Sequence, residues 1–272
     1  MKTTLTVMVD NIPQGNMKGE WGLSILAEYR EKMILIDAGA SGLFSENMKA
    51  LGFSLCDVDY AVLSHAHFDH ANGMIPFFKE NQCAKFYIRE GTKENCYSKK
   101  RVFKKYIGIP RNVLTDYADR IEIVSGDYKI CDGVYLIPHK TPGLEQTGKR
   151  EKMYQKTAHR FVPDNFNHEQ SVVIETDKGL VIVNCCSHGG AVNIVREVEE
   201  TFPDKKIYGL IGGFHLYNKS DDEVRNVARS IKETGIKYVC TGHCTGEHAY
   251  GIMKEELGET LRQLHVGLRM EF

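Results

Sequence analysis

Residues 63–73, LSHAHFDHANG, place three histidines and an aspartate within six residues, directly after an apolar run. Four ligands so closely spaced cannot all reach one ion, because a metal site takes three or four donors that converge on it. His65 and His67 can bind one ion together on extended backbone, whereas Asp69 and His70 then face a second position. The stretch therefore predicts half of a metal site that residues elsewhere complete. The alternative is a polar turn with solvent-facing histidines.

The composition is that of an ordinary globular protein. The 272 residues are 42% hydrophobic and 26% charged, with a net charge of -1, which suits one large domain with an ample core. We expect no nucleic-acid partner, because such binding needs a basic excess. The start, MKTTLTVMVD, is too polar for a secretory signal, and no apolar run approaches the length of a membrane span. We therefore expect no membrane association, a cytoplasmic location and eight reduced cysteines.

Apolar runs of strand length occur in both halves of the chain, at 5–9, 23–29, 32–39, 59–65, 206–213 and 236–243. Residues 171–188 predict a hairpin with its turn at 177–179. Helices are predicted at 190–202 and after Ser220, which begins a capping box with Glu223. Strands come first in each half and helices follow, which predicts an α/β fold of two packed sheets with helices outside. We expect a single domain, 1–272, in which residues 140–167 form an irregular insertion or lid loop.

The H-x-H-x-D-H pattern resembles the metal signature of the metallo-β-lactamase superfamily, whose fold is a four-layer αβ/βα sandwich of two mixed sheets flanked by helices. The order of strands and helices fits that fold over the whole chain. MILIDAG (33–39) resembles the strand of the family that ends in Asp-x-Gly. Three further blocks resemble the dihydropterin synthase-like hydrolases of this superfamily: GLVIVNCCSHGGAVNI (179–194), IGGFHL (211–216) and TGHCTGE (241–247). The resemblance implies two divalent metal ions, with zinc expected first and iron or manganese as alternatives.

The resemblance also implies ligands outside the opening stretch. His243 is the implied last ligand, of the ion held by Asp69 and His70. Where the superfamily has a bridging aspartate, this chain offers Cys186. Cys186 can ligate as a thiolate or serve only in packing, His188 can replace the carboxylate, or the second ion can be weakly bound. For the adjacent Cys185 a packing role is favoured.

The third histidine of the first ion is open between two candidates. Either His168 or His188 completes the trio with His65 and His67, and His168 can instead orient another residue or contact substrate. Asp37 resembles the buried aspartate of the Asp-x-Gly block and is expected to orient a ligating imidazole by accepting its other N–H. The alternative for Asp37 is a turn aspartate.

His215 follows a strand and the paired glycines 212–213. A free imidazole there could protonate a leaving group or bind a phosphate, whereas the alternative is a core histidine. No role is assigned to His139. Surface or packing positions are expected for His159, His248 and His265.

These residues predict a dinuclear metal hydrolase that acts on a small ester or phosphate-containing substrate. A water between the two ions would be the nucleophile, Asp69 would bind metal and orient that water, and His215 would be the general acid. The basic segments 98–106 and 148–160 form either a solvated helix face and a mobile loop, or a rim that attracts an anionic substrate.

Two other functions remain open. The family name suggests a transferase that joins a dihydropterin to a ribofuranosylaminobenzene phosphate with the same metals. A redox or non-catalytic di-metal protein is the third possibility. It is disfavoured because no residues remain for a flavin domain and because a structural site would be closed by four ligands. The oligomeric state is not predicted.

Overall fold

The computed structural model describes residues 3–272. Its strands are β1 (Thr3–Val9), β2 (Ser24–Tyr29), β3 (Lys32–Ile36), β4 (Tyr60–Val62), β5 (Lys85–Arg89), β6 (Cys96–Lys100), β7 (Phe103–Tyr106), β8 (Ile121–Val124), β9 (Tyr128–Cys131), β10 (Val134–Pro138), β11 (Met153–Lys156), β12 (Phe161–Pro163), β13 (Gln170–Thr176), β14 (Gly179–Val183), β15 (Ile207–Gly212), β16 (Tyr238–Thr241), β17 (Leu261–Gln263) and β18 (Arg269–Glu271). Its helices are α1 (Leu43–Ala50), α2 (Phe68–Ala71), α3 (Met74–Glu80), α4 (Val113–Asp116), α5 (Leu144–Glu151), α6 (Ala191–Thr201), α7 (Asp221–Glu233) and α8 (Glu247–Leu257).

Two seven-stranded mixed sheets form the centre of the molecule. Their strand orders are β18-β1-β2-β3-β4-β5-β8 and β17-β16-β15-β14-β13-β10-β9. Each sheet is antiparallel on one side and parallel on the other, with the change at β3 in the first and at β14 in the second. The inner faces pack on each other, α1 and α3 cover one outer face, and α6, α7 and α8 cover the other. The predicted four-layer αβ/βα sandwich is confirmed.

Side-chain periodicity explains how one strand serves two layers. In β3, Ile34 and Ile36 point into the core between the sheets, whereas Leu35 packs with the helices outside, because successive side chains of a strand alternate between its faces. Helix α7 buries Val224 and Ile231 on one face, and both hydrogen bonds of the predicted capping box at Ser220 are present.

A third sheet was not predicted. The outer sheet, as we call it, is antiparallel with the order β12-β11-β6-β7, and it joins residues 96–106 to residues 153–163. The prediction that residues 140–167 are irregular is therefore wrong, since that segment contains α5, β11 and β12. The basic segment 98–106 forms strands rather than a helix face. The assignment of 140–167 as an insertion stays a prediction.

The parallel strands bring their carboxyl ends to one edge of the sandwich. Ile36 of β3 and Val62 of β4 are paired, and the chain continues from each of them into a loop at this edge. In the other sheet β14, β15 and β16 run parallel and end at the same side of their sheet. The backbone N–H of Gln170 donates to the carbonyl of Ser64 (2.8 Å), which ties the two edges together. No helix within residues 3–272 is both long and apolar enough to cross a membrane.

Candidate metal centre

The histidines of the opening stretch are buried at this shared edge. The chain leaves β4, turns at residues 63–67 and enters the short helix α2. His65 and His70 have no exposed surface, and His67 and Asp69 are almost fully buried. The alternative of a turn with solvent-facing histidines is therefore wrong.

His65, His67 and His188 form a first cluster. One donor nitrogen from each lies within 4.8 Å of the other two. The Nε2 atoms of His65 and His67 and both ring nitrogens of His188 are buried without a hydrogen-bond partner in the described chain. Because buried polar atoms are nearly always partnered, three converging imidazoles that lack partners could together hold a metal ion. The geometry thus favours His188 as the third histidine.

The remaining nitrogen of His65 is held by a relay of hydrogen bonds. The Ser64 hydroxyl lies 2.9 Å from His65 Nδ1 and 2.6 Å from Asp37 Oδ2. Because the carboxylate can only accept, the hydroxyl donates to Asp37 and accepts from Nδ1–H of His65. This tautomer leaves the lone pair of Nε2 free to bind a metal. His188 is oriented differently, by stacking on the Phe166 ring at 4.6 Å.

His70, His243, Cys186 and Asp69 form a second cluster beside the first. His70 Nε2 lies 3.1 Å from His243 Nε2 and 3.2 Å from the Cys186 sulfur. Asp69 Oδ2 is 3.6 Å from His243 Nε2 and 3.9 Å from His70 Nε2. The four residues proposed for the second ion from the sequence thus lie together.

Asp37 makes the contact expected of an orienting carboxylate. Its Oδ2 is 2.7 Å from His70 Nδ1, and its Oδ1 accepts the backbone N–H of Ser64 at 2.7 Å. The bond to Nδ1 directs Nε2 of His70 toward His243 and Cys186. Asp37 is fully buried with a positive φ of 59°, so its backbone is held in an uncommon conformation at this point.

Most imidazoles of the two clusters are neutral, the form that binds metal. Burial, with added repulsion from neighbouring imidazoles, lowers the pKa of His65 and His188 well below the usual value. Burial likewise lowers the pKa of His67 and His243 to about 3. For His70, burial lowers the pKa, but the carboxylates of Asp37 and Asp69 outweigh it and raise the value to about 9.

His168 lies behind the first cluster. Its Nδ1 accepts the backbone N–H of Ala66 at 3.1 Å, and its Nε2 is 3.2 Å from Asp164 Oδ2. With both ring nitrogens bonded to protein, His168 fixes the turn that carries His65 and His67. His168 also belongs, with His67, Cys96 and Asp164, to a separate group of closely spaced donor atoms, which sequence reasoning did not identify.

Three residues that support the second cluster were missed. Asp10 accepts the backbone N–H of His243 at 3.0 Å, and Asn11 Oδ1 is 3.2 Å from His243 Nδ1. The indole N–H of Trp21 donates to Asp69 Oδ2 at 2.9 Å. The signal for the first two was a polar Asp-Asn pair directly after β1, whereas nothing in the sequence pointed to Trp21.

His139, which had no assigned role, supports the loop that carries His188. Its side chain is 6% exposed and lies between two carboxylates, with Nε2 in a short contact with Glu169 and Nδ1 3.1 Å from Glu197. Glu169 also accepts the backbone N–H groups of His188 (3.0 Å) and Gly189 (3.1 Å). Burial lowers the pKa of His139, but the two carboxylates outweigh it and raise the value to about 9.

Replacing His139 with glutamine should destabilise the protein by about 3 kcal/mol at pH 7, because a buried cation between two carboxylates is lost. The folded-state pKa is raised, so this stabilisation is complete below about pH 6.5 and disappears as the pH rises through about 9. Urea unfolding of the unaltered protein and of His139→Gln between pH 6 and pH 10 measures the gap between their free energies of unfolding. A gap that widens with rising pH would contradict a protonated His139.

His215 lies in the loop after β15, and its ring faces the candidate metal centre. Its Nε2 lies 3.7 Å from Glu151 of α5, which also contacts Lys219. Burial and polar contacts oppose each other at Glu151: burial raises its pKa, and the contacts with His215, Lys219 and Asn218 lower it below the usual value. At 3.7 Å the contact between His215 and Glu151 is electrostatic rather than a hydrogen bond, and both ring nitrogens of His215 are buried without a hydrogen-bond partner among the described residues. A core histidine would have its nitrogens bonded, so this interpretation is not supported.

A cavity of ≈ 270 Å³ lies above both clusters. The two clusters contribute His67, Asp69, Cys186 and His188 to its lining, and the outer sheet contributes Ser98, Lys100 and Lys105. The other lining residues are Trp21, Phe68, Ile107, Met153, His215, Tyr217 and Cys244. Ser98 and Lys105 are paired across β6 and β7, and Lys100 follows Ser98 on the same face. Neither lysine has an ion-pair partner among residues 3–272.

The histidines without a predicted role lie away from the centre. His159 is exposed, His248 is exposed and lies 2.8 Å from Asp221, and His265 bonds the carbonyl of Val266. Cys185 packs in the core between the sheets, in agreement with the packing role favoured for it.

Known proteins share this sequence and architecture. The model of the metallo-beta-lactamase superfamily matches residues 22–243. A protein of Methanocaldococcus jannaschii named 7,8-dihydropterin-6-methyl-4-(beta-D-ribofuranosyl)-aminobenzene-5'-phosphate synthase is 30% identical over 273 residues, which cover 92% of this chain and 90% of that protein.

Solved structures agree with these matches. The crystal structure of Tm1679, described as a metal-dependent hydrolase of the beta-lactamase superfamily, superposes with a TM-score of 0.84 and 27% identity over 99% of each chain. The metallo-beta-lactamase fold protein YhfI from Bacillus subtilis superposes with a TM-score of 0.59 and 14% identity over 100% of this chain and 99% of its own. At that identity, YhfI bears on the fold alone.

Proposed function

The chain belongs to the metallo-β-lactamase superfamily, and on that basis we propose that it is a metal-dependent hydrolase with two adjacent metal positions. The observation that carries the proposal is the first cluster. His65, His67 and His188 direct buried nitrogens without partners toward one another, and His67 and His188 line a cavity that a small molecule can enter. Imidazoles left this way cost free energy unless an ion binds them.

The donor atoms favour zinc. The first position has three imidazoles, and the second has His70, His243 and the sulfur of Cys186, with Asp69 at its edge. Imidazole and thiolate donors suit zinc, and iron or another transition metal next, whereas carboxylate and carbonyl oxygens suit magnesium and manganese. When bound, the ions would supply Lewis acidity and activate a water for attack at neutral pH.

The residues around the metals have separate tasks in this proposal. Asp69, held by the Trp21 indole, lines the cavity and orients the attacking water through its carboxylate. His215, which lies 3.7 Å from the Glu151 carboxylate, donates a proton to the leaving group. Trp21 and Tyr217 stand at the wall of the cavity and exclude water from one side of the bound substrate.

We propose that the substrate is a small ester or phosphate-containing molecule with an anionic group. Lys100 and Lys105 support this, because two cations without carboxylate partners face the cavity from the outer sheet. A negative group on the substrate would be attracted to them while its scissile bond lies at the metals. All eight cysteines are free, which supports a reducing compartment such as the cytoplasm as the place of action.

Replacing Lys100 and Lys105 together with alanine should raise KM for an anionic substrate about 10-fold with little change in kcat, because the lysines attract the substrate without touching the reacting atoms. Steady-state kinetics at low ionic strength measures the effect. The matched control is Lys99→Ala with Lys104→Ala, which removes the same charge from the opposite face of the same hairpin. Equal effects of the two double variants would contradict the proposed rim.

The hydrolase proposal is tested by turnover. Purified protein is assayed with a panel of phosphodiester, phosphomonoester, lactone and thioester substrates, before and after chelation and again after zinc is restored. We expect turnover of at least one class, loss with the chelator and recovery with zinc. Turnover that survives complete removal of metal would contradict the proposal.

A second candidate is a transferase that joins a dihydropterin to an aryl ribose phosphate. The observation in its favour is the name of the Methanocaldococcus jannaschii relative, which matches over nearly its full length. The same metal positions could ionise a pyrophosphate leaving group. Consumption of a dihydropterin pyrophosphate only in the presence of the aryl phosphate would favour this function over hydrolysis.

A further inference from the structure

We propose that Cys244 joins Cys186 as a ligand of the second metal position, which makes that position a closed site of two cysteines and two histidines. The open coordination, and with it the reaction, then belongs to the first position alone. This inference rests on the two metal positions of the proposed function and deepens it, because it divides them into a catalytic ion at His65, His67 and His188 and a structural ion at Cys186 and Cys244.

The contacts at the second position link the four residues in a chain of close donor atoms around Cys186 and His70. The closest atom pairs are His70 with His243 at 3.1 Å, His70 with Cys186 at 3.2 Å and Cys186 with Cys244 at 3.4 Å. Donor atoms of Cys186, His243 and Cys244 all lie within 4.8 Å of one another. Tetrahedral zinc, with bonds of about 2.0 to 2.3 Å, separates its ligands by about 3.3 to 3.8 Å. The three closest pairs, at 3.1 to 3.4 Å, match this separation after a slight expansion.

The fold makes room for the Cys244 sulfur at this place. A side chain at Gly213 would put its Cβ 2.5 Å from that sulfur, so glycine is required where the loop after β15 passes the thiol. The turn that carries Cys244 is itself fixed. Thr245 Oγ1 accepts the backbone N–H of Phe214 at 2.9 Å and lies 2.6 Å from the Thr241 hydroxyl. The sulfur is thus held against Cys186 from two loops.

Asp69 is the residue that a closed site would leave uncoordinated. Its Oδ2 lies 3.6 Å from His243 Nε2 and 3.9 Å from His70 Nε2, so its other contacts decide its role. Its nearer oxygen already accepts the Trp21 indole N–H at 2.9 Å. The carboxylate also lines the cavity. These contacts place Asp69 beside the reacting groups, where it orients water rather than completing the shell of the second ion.

Two thiolates change which metal the second position selects. Soft sulfur donors favour zinc, cobalt(II) and iron over magnesium and manganese, and a tetrahedral shell of four protein ligands leaves no position for water. Such an ion holds the loops after β14 and β16 together and contributes to folding. We therefore expect the second position to bind zinc more tightly than the open first position.

Cobalt(II) provides the test, because thiolate ligation gives a near-ultraviolet charge-transfer band whose intensity follows the number of sulfur ligands. Cobalt is titrated into metal-free protein in which the exposed Cys56 and Cys83 are replaced with serine. We expect two equivalents to bind and the band to fall by about half in Cys186→Ser and in Cys244→Ser. The band should vanish in the double variant. Cys185→Ala, in the same loop, is the control and should keep the full band.

The outcomes separate the two proposals. If no cobalt binds, the metal hydrolase proposal fails together with this one. If cobalt binds without a charge-transfer band, or if Cys244→Ser keeps the full band, the metal positions stand and the closed cysteine site is overturned. X-ray absorption at the zinc edge of the unmodified protein needs no variant. With two zinc ions bound, we expect an average of one sulfur ligand per zinc ion, which is two sulfurs in total. An average of half a sulfur per ion would contradict the ligation by Cys244.

Discussion

Replacing His67 with alanine should lower kcat/KM by at least about 1,000-fold, a loss of about 4 kcal/mol of transition-state stabilisation. His67 provides one of only three imidazoles at the first position, and two are too few to hold an ion there. Metal analysis should show the loss of one equivalent. The fold should survive, because the Nε2 atom of His67 has no protein partner to lose.

The control for this variant is His248→Ala, which removes an exposed histidine whose partner is Asp221. It should leave activity and metal content unchanged. Thermal unfolding of the metal-free proteins should differ by no more than about 1 kcal/mol between His67→Ala and the unaltered chain. Full activity of His67→Ala would contradict the role of the first cluster.

Replacing Asp69 with asparagine should lower kcat by about 100- to 1,000-fold, because the amide cannot accept a proton from the attacking water or stabilise positive charge near it. Asparagine keeps nearly the same shape and can still accept the Trp21 indole N–H through its carbonyl oxygen. Metal content should therefore stay close to that of the unaltered protein. Single-turnover kinetics combined with metal analysis distinguishes this loss from the loss of an ion.

The companion variant Trp21→Phe isolates the positioning of Asp69. It removes the indole donor and keeps an aromatic wall, and we expect kcat to fall about 10-fold. Loss of one metal equivalent in Asp69→Asn would show instead that the carboxylate is a ligand. Unchanged kcat in Asp69→Asn would remove Asp69 from the reaction altogether.

The sandwich and the main donors could be predicted because they depend on local patterns. Alternating apolar residues mark β1 to β4, and a loop that follows a buried strand carries His65, His67 and His70. The carboxyl ends of parallel strands meet at one edge, which brings His188 and His243 close to them although they are far apart in sequence. Residue type and position after a strand were sufficient signals.

The outer sheet could not be predicted, because its strands are short and two of them, β6 and β11, are far apart in the sequence. Tyr154 of β11 pairs with Tyr97 of β6, and nothing local in either segment indicates its partner. Their basic composition is also typical of a solvated helix face. The placement of Lys100 and Lys105 over the cavity therefore required the structure.

The choice between His168 and His188 as the third histidine also could not be made from local sequence. Both histidines lie beside a strand end. They differ in that His168 bonds Ala66 and Asp164, whereas the ring nitrogens of His188 have no partner among the described residues. Cys244 received no prediction, because the adjacent His243 already explained the resemblance of residues 241–247 to the family. Its sulfur lies close to that of Cys186, which is 58 positions away in the sequence. Side-chain direction, which sequence patterns do not specify, decided both cases.

The central claim is that two metal ions bind at adjacent positions, and metal content tests it most directly. The purified protein is analysed by mass spectrometry for zinc, iron, manganese and cobalt, then stripped with a chelator and reloaded with zinc. We expect two equivalents per chain, one in the His67→Ala variant, and recovery of both in the unaltered protein after reloading. Less than one equivalent that cannot be restored by reloading would contradict the two-metal centre.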